Sequence, residues 1–265
     1  MTRKQRLGWL VFFILIITLV IISNIHINNR PVKGIELSVS YPRNDSLISQ
    51  AFVIDLIKKT FGELVGKKRK EIDIDALERE IMKQAYIESV DSYISLEGNL
   101  KIDIYEVEPI LRLYSMNNLE YYIDKHGKII PLEEGRVKDV PVANGNFVVS
   151  KKILDKQYVD TLSLDHKDKN QRMVSQLYYL ASKIYFDTLL SCQIDQFFVN
   201  DRYEIELYPK IGNYSIELDG LEDIDEKLNK LRYLYKEAFT RFGWENYSKI
   251  KLGFQGQVVC TRRNN

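Results

Sequence analysis

The segment VDSYISLEGNLKIDIYEV, residues 90–107, indicates how the first half of this chain folds. Apolar and polar residues alternate on both sides of Gly98-Asn99, and this period of two is typical of a half-buried strand. A two-residue connection with glycine first favours a tight hairpin. The segment therefore predicts two antiparallel strands, Val90 to Glu97 and Leu100 to Val107, which share one apolar face.

The residues before this hairpin complete a compact unit. Ile35 to Tyr41 alternates like a strand and stops at Pro42, whereas Ser46 to Phe61 has the apolar spacing of a helix. Asp75-Ala76-Leu77-Glu78 resembles a capping box and predicts the start of a second helix. The predicted order is β-α-α-β-β, with two helices on one face of a three-stranded sheet.

After Pro109 the pattern changes to short strands that alternate with helices. Helical spacing runs from about Asp168 to Asp187 and from Asp223 to Phe242, and each helix shows one apolar stripe. Ile250 to Phe254 and Gln257 to Cys260 are expected to form a closing hairpin. The fold class is therefore α+β, with a strand-rich second domain that contains two helices.

The N-terminal region predicts a membrane anchor. Residues 7–29 contain no acidic residue, lysine or arginine, and Arg3, Lys4 and Arg6 precede them. Such a pattern favours a transmembrane helix whose basic tail stays in the cytoplasm, and hence a single-pass type II topology with most of the chain outside the cytoplasm. The alternative is a cleaved signal peptide, but no small-residue cleavage site follows the apolar run.

Composition narrows the function classes. The 265 residues carry a formal net charge of +1, so charge alone gives no case for a nucleic-acid partner. The basic run Lys67 to Lys70 could contact anionic lipid headgroups or cell-wall polymer, although a solvated loop is the simpler interpretation. Cys192 and Cys260 could pair outside the cytoplasm, or each could be a buried free thiol.

Catalytic motifs are missing from the sequence. The three histidines, His26, His126 and His166, are not paired at metal-ligand spacing, and there is no nucleophile elbow or phosphate loop. Asp165, His166 and Asp168 are close in sequence, but a surface loop collects such residues by default. We therefore predict a protein that is not an enzyme, with no catalytic residue, metal or cofactor.

Several short motifs occur in an order that resembles the bacterial division family FtsQ/DivIB. IYEVEPI, residues 104–110, is similar to the family's strand that ends in an acidic residue before proline, although the arginine often found between them is missing. YYIDKHGKIIPL, residues 121–132, is the most specific match. GNYSIELD at 212–219, followed by the Lys-Leu pair at 227–228, and the closing segment 247–259 also resemble the family.

The resemblance implies a scaffold rather than a catalyst. It divides the chain into a cytoplasmic tail, a transmembrane helix, a POTRA-like domain, a C-terminal β domain and a short tail, at residues 1–6, 7–29, 33–109, 110–260 and 261–265. It also implies an inner-membrane protein with most of its chain in the periplasm and a place at the division septum, where such proteins hold FtsB-like and FtsL-like coiled-coil proteins and help to control peptidoglycan synthesis by FtsW and FtsI. Family members bind FtsB largely by strand addition to the last strands.

Strand addition has an independent physical basis in this chain. Gln257 to Cys260 is the last predicted strand, and the few polar residues after it could not cover an open sheet edge, which offers unpaired N–H and C=O groups. The predicted partner-binding residues are Leu252, Phe254, Gln257, Val258, Val259 and Cys260. Alternatively, the chain could be an envelope assembly or secretion factor with a POTRA-like domain.

Overall fold

The computed structural model describes residues 3–41, 46–132, 137–154, 157–159 and 167–263. Pro42, which was expected to end the first strand, and Asp165 and His166 of the charged loop lie outside these ranges. The chain divides into two compact units, Met1–Val107 and Glu108–Asn265.

Helix α1, Arg3–Asn28, begins the first unit. Across the described ranges, no helix is both long enough and apolar enough to cross a bilayer. The predicted transmembrane helix over residues 7–29 is therefore wrong, and the fold class is corrected to α+β.

The rest of the first unit is a three-stranded sheet covered by two helices, with strand order β1-β3-β2. β1 runs parallel to β3, and β2 runs antiparallel to it. Its elements are β1 (Gly34–Ser40), α2 (Gln50–Phe61), a 3₁₀ turn (Arg69–Glu71), α3 (Ile74–Ile81), β2 (Ile87–Ile94) and β3 (Asn99–Glu106). The predicted β-α-α-β-β order is present.

Two local details of the first unit differ from the predictions. Helix α3 is capped by Asp73, whose carboxylate accepts the Ala76 N–H at 2.9 Å, rather than by Asp75. The β2–β3 turn is longer than two residues, because the Ser95 N–H donates to Asn99 O and the Gly98 N–H donates back to Ser95 O. Gly98 closes this turn with φ of 98°, a conformation that glycine adopts without strain.

A buried acid holds the entry to helix α2. Glu106, at the end of β3, accepts the backbone N–H groups of Leu47 and Ile48 at 2.9 Å each, and it also contacts the Ser46 hydroxyl. This is the acidic residue of the 104–110 motif. Its role in this fold is to satisfy buried backbone donors that no helix or strand could pair.

The second unit contains one nine-stranded mixed sheet, ordered β12-β11-β10-β9-β8-β7-β4-β5-β6. The pairs β4–β7, β7–β8 and β10–β11 are parallel, and the other pairs are antiparallel. The strands are β4 (Pro109–Tyr114), β5 (Glu120–Asp124), β6 (Ile129–Pro131), β7 (Val142–Gly145), β8 (Ile194–Val199), β9 (Ile205–Pro209), β10 (Ser215–Glu217), β11 (Tyr247–Lys251) and β12 (Val259–Arg262).

Helices pack against this sheet and form its core. They are α4 (Lys151–Leu154), α5 (Lys169–Tyr185), α6 (Leu190–Gln193), α7 (Ile224–Tyr233), a π-helical turn (Leu234–Ala238) and α8 (Phe239–Phe242). Leu177 of α5 and Leu231 of α7 are fully buried in the same apolar cluster as Phe197, Leu207 and Ile250 of the strands. The apolar stripes of the two long helices are therefore core, as their spacing predicts.

Candidate functional site

The two ends of the nine-stranded sheet differ. At the β6 end the chain covers its own edge: the Ile129 N–H donates to Gln157 O, and the Val159 N–H donates to Gly127 O, each at 2.8 Å. An isolated antiparallel bridge joins Lys128 to Tyr158 between these two bonds. The segment 157–159 thus occupies the place where another strand could otherwise pair.

At the opposite end, β12 is the terminal strand of the sheet, and within the described ranges no strand lies beyond it. β12 pairs antiparallel with β11, and Lys251 lies opposite Val259. The Arg263 N–H donates to Asn246 O at 2.8 Å, and the Thr261 carbonyl accepts the Ser248 hydroxyl at 3.4 Å, so Thr261 and Arg263 direct their backbone groups toward the β11 side.

Along an extended strand, successive residues direct their backbone N–H and C=O groups to opposite sides. Cys260 and Arg262 flank Thr261, so their backbone groups point away from β11. The N–H and C=O groups of Cys260 and Arg262 are accordingly directed to the open side of β12. This edge has the property that strand addition requires, which is a row of backbone donors and acceptors on the outermost strand.

An aromatic cluster supports this edge from the helix-covered face. The Phe239 ring lies 5.6 Å from Tyr214, 5.5 Å from Tyr235 and 6.0 Å from Tyr247, measured between ring centroids. The hydroxyls of Tyr214 and Tyr235 are hydrogen-bonded at 3.0 Å, and burial raises the pKa of both phenols, so both stay neutral. Phe239 meets Tyr214 and Tyr235 edge-to-face and stacks on Tyr247, and these contacts give β10 and β11 a well-packed support.

A charge cluster lies on the other face of the same strands. Glu217 of β10 receives hydrogen bonds from the ammonium groups of Lys249 and Lys251 on β11. Burial acts to raise the pKa of Glu217, but the two lysines outweigh it and hold that pKa below its ordinary value. The bond to Glu217 likewise raises the pKa of Lys249. Glu217 and Lys249 therefore remain charged at neutral pH.

The structure distributes the predicted partner-binding residues over three environments. Leu252 has no exposed surface, and its N–H donates to Glu217 O, so its side chain belongs to the core. Phe254 and Gln257 are exposed in the loop between β11 and β12. Val258 lies half-buried at the end of that loop, while Val259 and Cys260 lie on β12 itself.

Two residues of the edge were missed by the sequence-based prediction. β12 continues through Thr261 and Arg262, which were placed in the polar tail 261–265. The sequence signal for these two strand residues is weak. Thr261 is β-branched and lies two residues after Val259, which favours a continued strand, but Arg262 and Arg263 after it favour a polar tail. Hydrogen bonding to β11, which sequence does not show, decides the matter.

Thiol and metal chemistry give no further site. Cys192 and Cys260 are both free, and burial raises the pKa of the Cys260 thiol. The His126 backbone N–H donates to Asp124 in the β5–β6 turn. Among the described residues, no three His, Cys, Asp or Glu side chains are grouped so that they could hold a metal ion.

The architecture defines the class of protein. A β-α-α-β-β unit is followed by a mixed-sheet unit with one open edge, and residues 31–105 match the model described as a POTRA-like domain. The POTRA-like family consists of non-enzymatic scaffolds.

Residues 108–261, more than half of the chain, match the family model described as FtsQ/DivIB, C-terminal related, and the chain belongs to that family. The predicted resemblance is thus confirmed. Membership makes the chain a division-related scaffold, with division proteins as its general class of partner and the division septum as the site of its family. No curated protein matches the chain.

Proposed function

We propose that this protein is a scaffold of the division complex that binds an FtsB-like and FtsL-like pair by strand addition at β12, and so regulates septal peptidoglycan synthesis by FtsW and FtsI. The observation that carries the proposal is the difference between the sheet ends. The β6 end is covered by residues 157–159, whereas β12 has no neighbour on its outer side within the described ranges.

The chemistry of the edge suits an extended peptide. Cys260 and Arg262 offer backbone donors and acceptors to an incoming strand, and each hydrogen bond so formed is worth about 0.5–1.5 kcal/mol net. Alternate side chains of that strand would meet different surfaces. One set would lie beside Val259 and Thr261 on the open face, and the other beside Cys260 and the helix-covered layer.

The proposed contact surface is β12 together with the loop that leads into it. It comprises Phe254, Gln257, Val258, Val259 and Cys260 from the predicted set, extended by Thr261 and Arg262. Leu252 supports this surface from the core, because its buried side chain is not available to a partner.

A proline at Arg262 tests the proposal. Proline removes the outward N–H of this edge position but leaves the bonds between β11 and β12 intact, so the second unit should fold as before. We expect Arg262→Pro to weaken capture of a co-expressed FtsB-like partner about tenfold or more, measured by quantitative co-purification.

Two further variants make that result interpretable. Arg262→Ala keeps the backbone N–H and should retain most of the partner binding, whereas Thr261→Pro removes a donor that faces β11 and should lower the melting temperature. Unchanged capture by a folded Arg262→Pro protein would place the partner site away from β12.

The POTRA-like match over residues 31–105 is the observation that favours a second candidate, an envelope assembly or secretion factor. A fluorescent fusion distinguishes the two functions. Concentration of the fusion at the septum supports the division scaffold, and uniform staining of the envelope supports the assembly factor.

A further inference from the structure

Six basic residues lie together just after helix α1. They are Arg30, Lys33, Lys67, Lys68, Arg69 and Lys70, and we call them the basic cluster. The last four form the run that the sequence leaves open between an anionic contact and an ordinary solvated loop. The contacts of Lys67 to Lys70 in the fold favour the anionic contact over the solvated loop.

The backbone fixes the two halves of the basic cluster beside each other. The Val32 N–H donates to Lys67 O at 2.9 Å, and the Arg69 N–H donates to Arg30 O at 3.0 Å. Pro31 and Lys68 form an antiparallel bridge between these bonds. Charges that are far apart in sequence are therefore held in one group, which a freely solvated loop would not achieve.

The members of the cluster divide into two sets. Lys67 donates to Phe61 O at 2.9 Å, and the Arg69 guanidinium donates to Ile94 O, so these two side chains serve the fold. The other four, Arg30, Lys33, Lys68 and Lys70, are exposed.

The acidic groups near the cluster do not neutralise it. Glu71 accepts the backbone N–H of Lys68 at 3.2 Å, and Glu97 interacts electrostatically with Lys33. Among the described residues, neither acid makes an ion pair with Arg30 or Lys70, which stay exposed in a chain whose formal net charge is only +1.

The neighbouring part of α1 indicates which anion is bound. Ile21, Ile22 and Ile25 are exposed on α1, a few residues before Arg30. Exposed apolar side chains beside exposed cations match a lipid surface, where acyl chains lie next to phosphate groups. A dissolved polyanion has no apolar surface that the three isoleucines could contact. We propose that the basic cluster binds the phosphate headgroups of anionic lipids.

Vesicle flotation of the full chain tests this inference. The probes are vesicles of phosphatidylcholine alone and vesicles in which part of it is replaced by phosphatidylglycerol. We expect the wild type to prefer the anionic vesicles, and that preference should weaken as salt rises. Each basic residue near an anionic surface is worth about 1 kcal/mol, so Lys68→Gln/Lys70→Gln should reduce the preference about 30-fold.

The control removes the same charge elsewhere. Lys236 and Arg241 are exposed residues of the second unit, and Lys236→Gln/Arg241→Gln should keep the wild-type preference. A preference equal to wild type in the folded Lys68→Gln/Lys70→Gln variant would overturn the inference. So would binding to soluble polyphosphate that outcompetes anionic vesicles. Partner capture by β12 should be unchanged in both variants, which separates this result from the proposed function.

Discussion

Asp124 and Glu106 are both buried carboxylates, but they use their oxygen atoms differently. Asp124 accepts the N–H groups of His126 at 2.9 Å and Lys128 at 2.7 Å, and both bonds end on Oδ1. Glu106 uses both oxygens, with the Leu47 N–H on Oε2 and the Ile48 N–H on Oε1. An amide side chain has one acceptor oxygen, so it can accept both backbone bonds at position 124 but only one of the two at position 106.

Asp124→Asn is expected to stabilise the protein at neutral pH. Burial raises the pKa of the Asp124 carboxyl above its ordinary value of 3.8, although the backbone bonds oppose this. The folded state therefore binds a proton more readily than the unfolded state, so the stability that this group contributes below pH 3.8 is lost as pH rises through its folded pKa.

Urea unfolding over a range of pH measures this effect. The advantage of Asp124→Asn over wild type should grow as pH rises from acid to neutral, and Asp124→Ala, which removes the acceptor altogether, should cost about 1–3 kcal/mol. A variant Asp124→Asn that is less stable than wild type at every pH would contradict this account.

Glu106→Gln is expected to destabilise the first unit. The new NH₂ group would face a backbone N–H that now bonds to a carboxylate oxygen, which leaves a buried donor unpaired at a cost of about 1–3 kcal/mol. Equilibrium unfolding followed by circular dichroism measures the loss. Glu36→Gln, on the exposed face of β1, is the matched control and should change stability by less than about 0.5 kcal/mol. Equal stabilities of the two variants would refute the role of Glu106.

At the scale of elements, the close approach of β7 and β8 depends on Gly145. A Cβ atom at this position would lie 2.2 Å from Val199 O and 2.8 Å from Val199 N, and the residue has φ of 107°. Gly145→Ala therefore forces apart two parallel strands at the centre of the sheet.

We expect Gly145→Ala to lower the free energy of unfolding by more than about 2 kcal/mol, measured by urea denaturation. Gly34→Ala is the comparison, because its Cβ would meet Asn99 Oδ1 at an ordinary 3.6 Å and its φ lies outside the positive range. Similar losses in the two variants would show that the β7–β8 approach does not limit stability.

The elements that sequence predicts well are those with strong periodicity. Alternation identified the β2–β3 hairpin, and helical spacing identified the stripes of α5 and α7. The errors lie at element ends, where neighbouring residues compete for one role. Asp73 rather than Asp75 caps α3, and Asp223, where the second predicted helix begins, has φ of 51° and makes no side-chain cap bond.

At the scale of the whole molecule, motif order predicted the family, whereas long-range pairing was not predictable. No local pattern shows that residues 157–159 cover β6 or that β12 lies at the opposite end of the sheet. Those facts depend on contacts between distant parts of the chain. The predicted membrane span is wrong for a different reason: no described helix is both long enough and apolar enough to cross a bilayer.

The covered β6 edge limits the number of strands that can add to the sheet of the second unit. A sheet with two free ends can pair at both and grow into a chain of copies, as edge-to-edge aggregates do. Here residues 157–159 cover one end, so among the described residues β12 is the end of the sheet left for the proposed strand addition. Through this sheet each molecule would therefore take one partner strand and end the assembly there, which fixes a ratio of one to one.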